Sequence, residues 1–302
     1  MKVRIVWTPK GGRPSPGNRS NANLRSEVRI DAPPRALVDI HSHILWGLDG
    51  GSRDLSQSLT MLGMAYAHGT TDIVATPQAN DQHNFDPAVV GERMARLAAL
   101  GPALPRIHRG CDLYLSARNV EDALASPHKY TINGLSYLIT EFPDTMSFSE
   151  AEETLLRLMG VGIIPIITHP ECNPLLQNSP AHLEQLVSMG CVLQVTAQSL
   201  TGGFGKQTQE TALRLVAEGL VHVIASDAHD IVHRPPPLDL AWKVVRQQMG
   251  DAVATNLFIN NPSAVIMGQT LPAMQEKPAR AQPAHSSDRY RTQAVGFLDS
   301  RY

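Results

Sequence analysis

Through the middle of the chain, short apolar runs rich in β-branched residues alternate with longer segments of helical spacing. The runs are 38–43 (VDIHSH), 72–77 (DIVATP), 106–115 (RIHRGCDLYL), 137–142 (YLITEF), 163–170 (IIPIITHP), 191–197 (CVLQVTA) and 220–229 (LVHVIASDAH). Short, β-branched and bounded by Gly, Pro or polar residues, they read as strands. Between them, 54–68, 87–100, 148–160, 180–189, 207–218 and 237–249 repeat Leu, Val, Met and Ala at helical intervals, and Asn119–Ala125 gives a weaker helix. Repeated β–α alternation predicts an α/β fold with a parallel sheet. Seven repeats predict a closed or nearly closed TIM-like barrel. Several runs are apolar on both faces, as strands covered by helices should be. The pattern stops at both ends. Residues 1–36 are dominated by Gly, Pro, Asn, Ser and Arg, and 273–302 are polar and rich in Pro, Ala and Gln. Both stretches are expected to be disordered, the first being an extension or translation from a start codon upstream of the true one. The barrel is therefore assigned to 37–272.

Composition narrows the function classes. The formal net charge is -2 and no long basic run occurs, which argues against nucleic acid or an anionic membrane surface as partner. The three cysteines, Cys111, Cys172 and Cys191, are too few and scattered for a disulfide framework or a Cys-rich zinc site, and they fit a reducing compartment. No apolar run approaches the ~20 residues that span a bilayer. The N-terminus lacks the apolar core of a signal peptide, so a cytoplasmic location without membrane insertion is expected.

The candidate chemistry sits at the ends of the predicted strands. His41 and His43 are two apart, so on a strand both imidazoles share a face. With 12 histidines in the chain such a pair needs context. The context is Asp112 in the third run, Glu141 ending the fourth, His169 ending the fifth, and Asp227 and His229 ending the seventh. In a parallel barrel these carboxyl ends open on one face. Buried unpaired carboxylates are costly, and a cation removes that cost. The set is too large for one tetrahedral zinc and suits two metals sharing a bridging carboxylate. Such a pair activates water for displacement at phosphorus or at a carbonyl. No thiol nucleophile is indicated: Arg118 follows Cys111, but DLYLSA between them has no glycine, and Cys172 and Cys191 lack such an arginine. The stretch 202–206, GGFGK, lacks the Ser or Thr and the spacing of a P-loop, and reads as a loop whose N–H groups could meet an anion at a helix start.

The set DIHSHIL–LDGG, IVATP, a carboxylate at 112, LITEF, ITHPE and VIASDAH–RPP resembles the bacterial PHP (polymerase and histidinol phosphatase) family. More narrowly, it is similar to the capsular and exopolysaccharide tyrosine-protein phosphatases of the CpsB/YwqE type. The resemblance covers about 37–270. It implies a distorted seven-stranded barrel holding up to three divalent metals, manganese first, with zinc, iron or magnesium as alternatives. It also implies a phosphotyrosine protein substrate, the tyrosine-rich tail of a polysaccharide co-polymerase kinase. Carried over by position, His41, His43 and Asp227 would hold one metal and Glu141 and His169 a second. Asp112 would bridge them where the family usually has Glu. His229 would belong to a third site, and Arg234 would help hold phosphate, a task that suits a planar cationic fork. Asp112, His229 and Arg234 would thus serve catalysis directly.

Three positions depart from the family pattern. Gly50 and Gln78 stand where third-site ligands, Asp and His, are usual, so two metals are expected and the third site is doubtful. Asp49 or His83 are the available substitutes. Cys172 stands where a second phosphate-binding Arg is usual, and is expected to be a small neutral residue. These departures leave open a hydrolase of another phosphoester or amide, or a catalytically impaired regulatory partner of the export machinery. His68, His108, His128 and His222 lie away from the strand ends and are expected in surface or core roles. Trp46 fits the mouth of the pocket or a core contact equally, and Arg93 and Arg96 read as solvated helix surface.

Overall fold

The computed structural model describes residues 36–100, 104–143 and 145–271. The extensions expected at 1–36 and 273–302 lie outside these residues, apart from Ala36. Each of the seven predicted runs contains a strand, but the third, 106–115, is broken in two, and an unpredicted two-residue strand follows the second. The nine strands are β1 (Leu37–Ser42), β2 (Thr70–Ala75), β3 (Gln78–Ala79), β4 (Arg106–Arg109), β5 (Asp112–Tyr114), β6 (Tyr137–Glu141), β7 (Ile164–Thr168), β8 (Val192–Thr196) and β9 (Val223–Ala225). All pair in parallel, in one sheet of order β1-β2-β4 and a second of order β3-β5-β6-β7-β8-β9.

The parallel α/β fold is as expected, but instead of a closed or nearly closed barrel of seven strands the strands form two sheets among the described residues. The physical cause lies at two breaks. Pro77 has no N–H for the ladder between β2 and β3. Gly110, between β4 and β5, has Val74 Cγ1 only 2.7 Å from where a Cβ would stand, so the chain crosses there only as glycine. Backbone bonds bridge the breaks, from Thr76 N to the Ser42 carbonyl (2.9 Å) and from Gly110 N to the Ala75 carbonyl (2.9 Å). At the far side, β1 meets the segment after β9 through one isolated parallel bridge, Ser42 with Ala228. Asp227 N donates to the His41 carbonyl and His43 N to the Ala228 carbonyl, each at 2.8 Å. The Asp39 carboxylate, fully buried, reinforces this junction by accepting from Ser226 N (3.0 Å) and Ser226 Oγ (2.6 Å). Burial raises its pKa to about 6 against those hydrogen bonds.

The predicted helices form where expected: α1 (Leu55–Ala67), α2 (Pro87–Ala98), α3 (Ala117–Ala125), α5 (Phe148–Gly160), α6 (Pro180–Met189), α8 (Lys206–Ala217) and α9 (Asp239–Met249). Their starts are coded locally. Asp54 accepts from Gln57 N to begin α1, and Ser147 and Glu150 close a reciprocal capping box on α5. Two short turns, α4 (Pro127–Tyr130) and α7 (Ala197–Leu200), and a helical run over 251–266 were not predicted. Strand residues alternate between two apolar layers. Ile73, Leu138, Ile167 and Leu193 pack under the helices, while Val74, Ile139, Ile166 and Val223 pack on the other face with Val265 and Ile266 from the 251–266 run. Among the described residues no helix is long and apolar enough to cross a membrane.

His222 shows the core role expected of it. Its Nδ1 accepts from Leu193 N at 3.1 Å, and burial lowers its pKa from 6.5 to about 4. It therefore folds neutral. Its contribution is complete above pH 6.5 and is lost as pH falls from 6.5 toward 4, where the unfolded chain binds the extra proton. The expected loss approaches about 3 kcal/mol across that window. Melting temperature against pH should be flatter in His222→Gln than in the parent over this range; parallel curves would contradict the assignment.

Candidate metal centre

β1 carries His41 and His43 to its carboxyl end, where both side chains are buried. Asp112 opens β5, the upper half of the broken third run, and Asp227 and His229 follow β9. The Nε2 atoms of His41 and His43 stand 3.3 Å apart. Asp227 Oδ1 lies 3.4 Å from each, and Asp112 Oδ2 lies 3.8 Å from His41 Nε2. Ligand atoms of His41, His43 and Asp112, and likewise those of His43, Asp227 and His229, all lie within 4.8 Å of one another.

The partners on the far side of each ring show which atoms face inward. His43 Nδ1 donates to Asp49 Oδ2 (2.7 Å) and His41 Nδ1 to Gln194 Oε1 (2.9 Å). Both Nε2 atoms are then lone-pair donors facing each other and the Asp227 carboxylate. Asp112 Oδ1 is buried with no hydrogen-bond partner. Four electron-rich atoms converging in a dry site repel one another unless a cation lies among them, so this donor set fits a divalent metal. The electrostatics agree. Burial opposes protonation of His43, yet hydrogen bonds to Asp227 and Asp49 and the charge of both carboxylates raise its pKa to about 10. The site draws positive charge.

Arg234 ion-pairs with Asp227 Oδ2, and its Nη1 donates to His229 Nε2 at 3.3 Å. His229 Nδ1 donates to the Asp227 carbonyl at 2.9 Å. Burial, then repulsion from His43, lowers the His229 pKa to about 4, which keeps the ring neutral. Asp227 and His169 adopt positive φ, 50° and 35°, in a region costly for residues with a Cβ. Strain of roughly 1–3 kcal/mol at each is characteristic of residues held for function.

Glu141 and His169 come together as a separate pair, Oε1 to Nε2 at 3.8 Å, partly open to solvent. Burial, then the charge of Asp112, raises the Glu141 pKa. The substitutes considered for a third site, Asp49 and His83, have partners of their own, though the His83 ring contacts its partner through Nδ1 alone. Asp49 holds His43 and accepts from Gly51 N and Gln78 N, while Gln78 Oε1 accepts from Asn80 and His83 Nδ1 contacts Asn80 Oδ1.

Sequence reasoning missed two buried polar residues. Gln194, the one polar side chain in CVLQV, orients His41. Glu171, in ITHPE, accepts from Thr196 N (2.9 Å) and Ser199 Oγ (2.7 Å), and so fixes the start of α7 beside the site. A lone polar residue inside an apolar strand was the available signal for the first. His68, His108 and His128 bond Asp239, Asp72 and the Gly134 carbonyl, in keeping with surface roles. Arg93 and Arg96, expected as plain solvated surface, instead stack on Trp46, with guanidinium carbons 4.6 and 5.7 Å from the ring centroid. Phe204, exposed in the loop before α8, lies 5.9 Å from the Arg234 guanidinium.

A parallel α/β scaffold with buried histidines and carboxylates converging at strand ends is the layout of metal-dependent hydrolases. The chain belongs to the CpsB/CapC family of capsular polysaccharide synthesis proteins, whose profile matches residues 37–267. It is 32% identical over 248 residues to the tyrosine-protein phosphatase YwqE of Bacillus subtilis, covering 81% of this chain and 97% of the relative. It is 27% identical over 244 residues to the tyrosine-protein phosphatase CpsB of Streptococcus pneumoniae, covering 78% and 100%. A crystal structure from work on YwqE and CpsB, described as unique metal-dependent tyrosine phosphatases, superposes with TM-score 0.73 at 32% identity, over 78% of this chain and 96% of that one.

Proposed function

We propose that the chain is a metal-dependent phosphatase that hydrolyses phosphotyrosine on a protein, acting in the cytoplasm on the tyrosine-rich tail of a polysaccharide-export kinase. The observation that carries this reading is the convergence of the His41 and His43 Nε2 atoms with Asp112 and Asp227 in a family whose curated relatives bear that activity. The two sheets are read as one distorted barrel of seven strand runs, opened at the breaks, with the site at its carboxyl-end rim.

His41, His43 and Asp227 would hold one metal, Glu141 and His169 a second, and Asp112 would lie between; manganese is the first candidate. Two metals, when bound, supply Lewis-acid polarisation of the ester and an ionised water at neutral pH. The protein supplies the rest. Asp49 and Gln194 hold the two imidazoles in the tautomer that presents Nε2. Arg234, anchored by Asp227 and His229, offers a planar cation to phosphate oxygens. The exposed Phe204 ring beside it suits the aromatic ring of a phosphotyrosine better than an alkyl chain.

No cysteine is poised as a thiolate nucleophile. Burial keeps Cys111 far up and Cys191 at about 12, and partial burial of the sulfur, then the charge of Glu171, puts Cys172 at about 11. Cys172→Ala is accordingly expected to keep parental turnover, measured as phosphate release; its loss would revive a phosphocysteine route. A substrate panel tests the main reading. The metal-loaded protein should favour aryl over alkyl phosphates, and Phe204→Ala should raise KM for aryl phosphates alone. Equal handling of both classes, or turnover of amides only, would sink it.

A further inference from the structure

Arg93 and Arg96 are one turn apart on α2 and both lie against the indole of Trp46. Among the described residues neither makes an ion pair, and Arg93 Nε is buried without a hydrogen-bond partner. Two guanidiniums on one ring repel each other, and the stack holds them together without neutralising them. They stand at a particular place. Trp46, packed against the core, follows β1 in the loop that returns through Asp49 to His43, so the pair stacks on the same loop that orients a residue of the metal centre. On the same loop a cavity of about 190 Å³, lined by Leu48, Pro77, Phe85, Val89 and Val90 with Gly47 and Asn84, opens toward the first turn of α2. Asp86 also borders it, its carboxylate capping α2 through Ala88 N. The surface thus offers two guanidiniums without ion-pair partners among the described residues, near a largely apolar hollow on the loop that leads back to His43.

We propose that Trp46, Arg93 and Arg96 form a docking surface for acidic residues flanking the phosphotyrosine of a peptide substrate, with the adjacent hollow taking an apolar side chain of the same peptide. This rests on the phosphatase reading above for its location, and on two guanidiniums that make no ion pair among the described residues for its choice of partner. Docking of this kind acts on KM and on association rate, is screened by salt, and leaves the chemistry at the metal centre alone.

The test compares three substrates on the metal-loaded, full-length protein. They are p-nitrophenyl phosphate, a phosphotyrosine peptide flanked by Glu and Asp, and the same peptide flanked by Lys. The parent should prefer the acidic peptide, with the preference fading as salt rises. The double variant Arg93→Glu/Arg96→Glu should lower kcat/KM for the acidic peptide by about tenfold, and should raise it for the lysine peptide. Turnover of p-nitrophenyl phosphate should be unchanged, which also shows that the variant folds. Equal use of the two peptides by the parent, or a loss shared by all three substrates, would overturn the proposal. Should the parent turn over none of the three, the phosphatase reading fails by itself. Fluorescence anisotropy of the labelled acidic peptide with parent and variant then decides docking separately: tighter binding by the parent supports it, and equal binding refutes it.

Discussion

Replacing His41 with alanine is expected to remove metal binding and aryl phosphatase turnover together while leaving the secondary structure in place. His41 is fully buried, and its Nε2 faces His43, Asp227 and Asp112 at once. Losing it takes a donor from the centre and leaves Gln194 Oε1 without its partner. The fall in activity should go well beyond the roughly 10–100-fold that follows loss of an outer partner such as Gln194. Far-ultraviolet circular dichroism separates this from unfolding, since the strands on either side keep their apolar layers. A variant that folds, binds no metal and still hydrolyses p-nitrophenyl phosphate at the parental rate would show that the site lies elsewhere.

Asp112→Asn should move activity and stability in opposite directions. In the metal-free protein Asp112 is a buried carboxylate whose Oδ1 has no hydrogen-bond partner, and after burial its charge is the next cause of the raised pKa of Glu141. Neutralising it relieves that repulsion, so the metal-free variant should melt at or above the parent, by about 2–4 °C for each kcal/mol gained. With metal present the order should reverse. Ligand binding stabilises the parent by mass action, and the variant gains less. Turnover should fall by several orders of magnitude, because the carboxylate that would help hold the metals is gone. Differential scanning calorimetry with and without manganese reads both effects. A variant less stable than the parent in both states would make Asp112 a structural residue.

The parallel fold was legible because its signal is local. Runs such as YLITE and VLQVT can be little else than buried strands, and the caps at Asp54 and Ser147 announce their helices. The breaks were less legible: RIHRGCDLYL reads as one continuous run, with only Gly110 to hint that it would split, and the two-residue β3 beyond Pro77 carries no strand pattern of its own. The 251–266 run escaped notice because its apolar residues face the inner layer only once the strands are assembled. At the candidate site, the sequence places His41, His43, Asp112, Asp227 and His229 at strand ends, and the fold brings them together. Their orientation was not, since it depends on Asp49 and Gln194, and Gln194 is 153 residues from the ring it holds. The same applies to Arg93 and Arg96: helical periodicity puts them on the exposed face of α2, and only the folded β1 loop brings Trp46 beneath them.

The most direct test of the account is hydrolysis of p-nitrophenyl phosphate by metal-stripped protein, titrated with manganese while bound metal is counted per chain. The account predicts no turnover in the stripped protein and activity that rises to a plateau at two metals per chain, with His41→Ala silent throughout. Full turnover in stripped protein, or saturation with metal and no turnover of any phosphate ester, would contradict it.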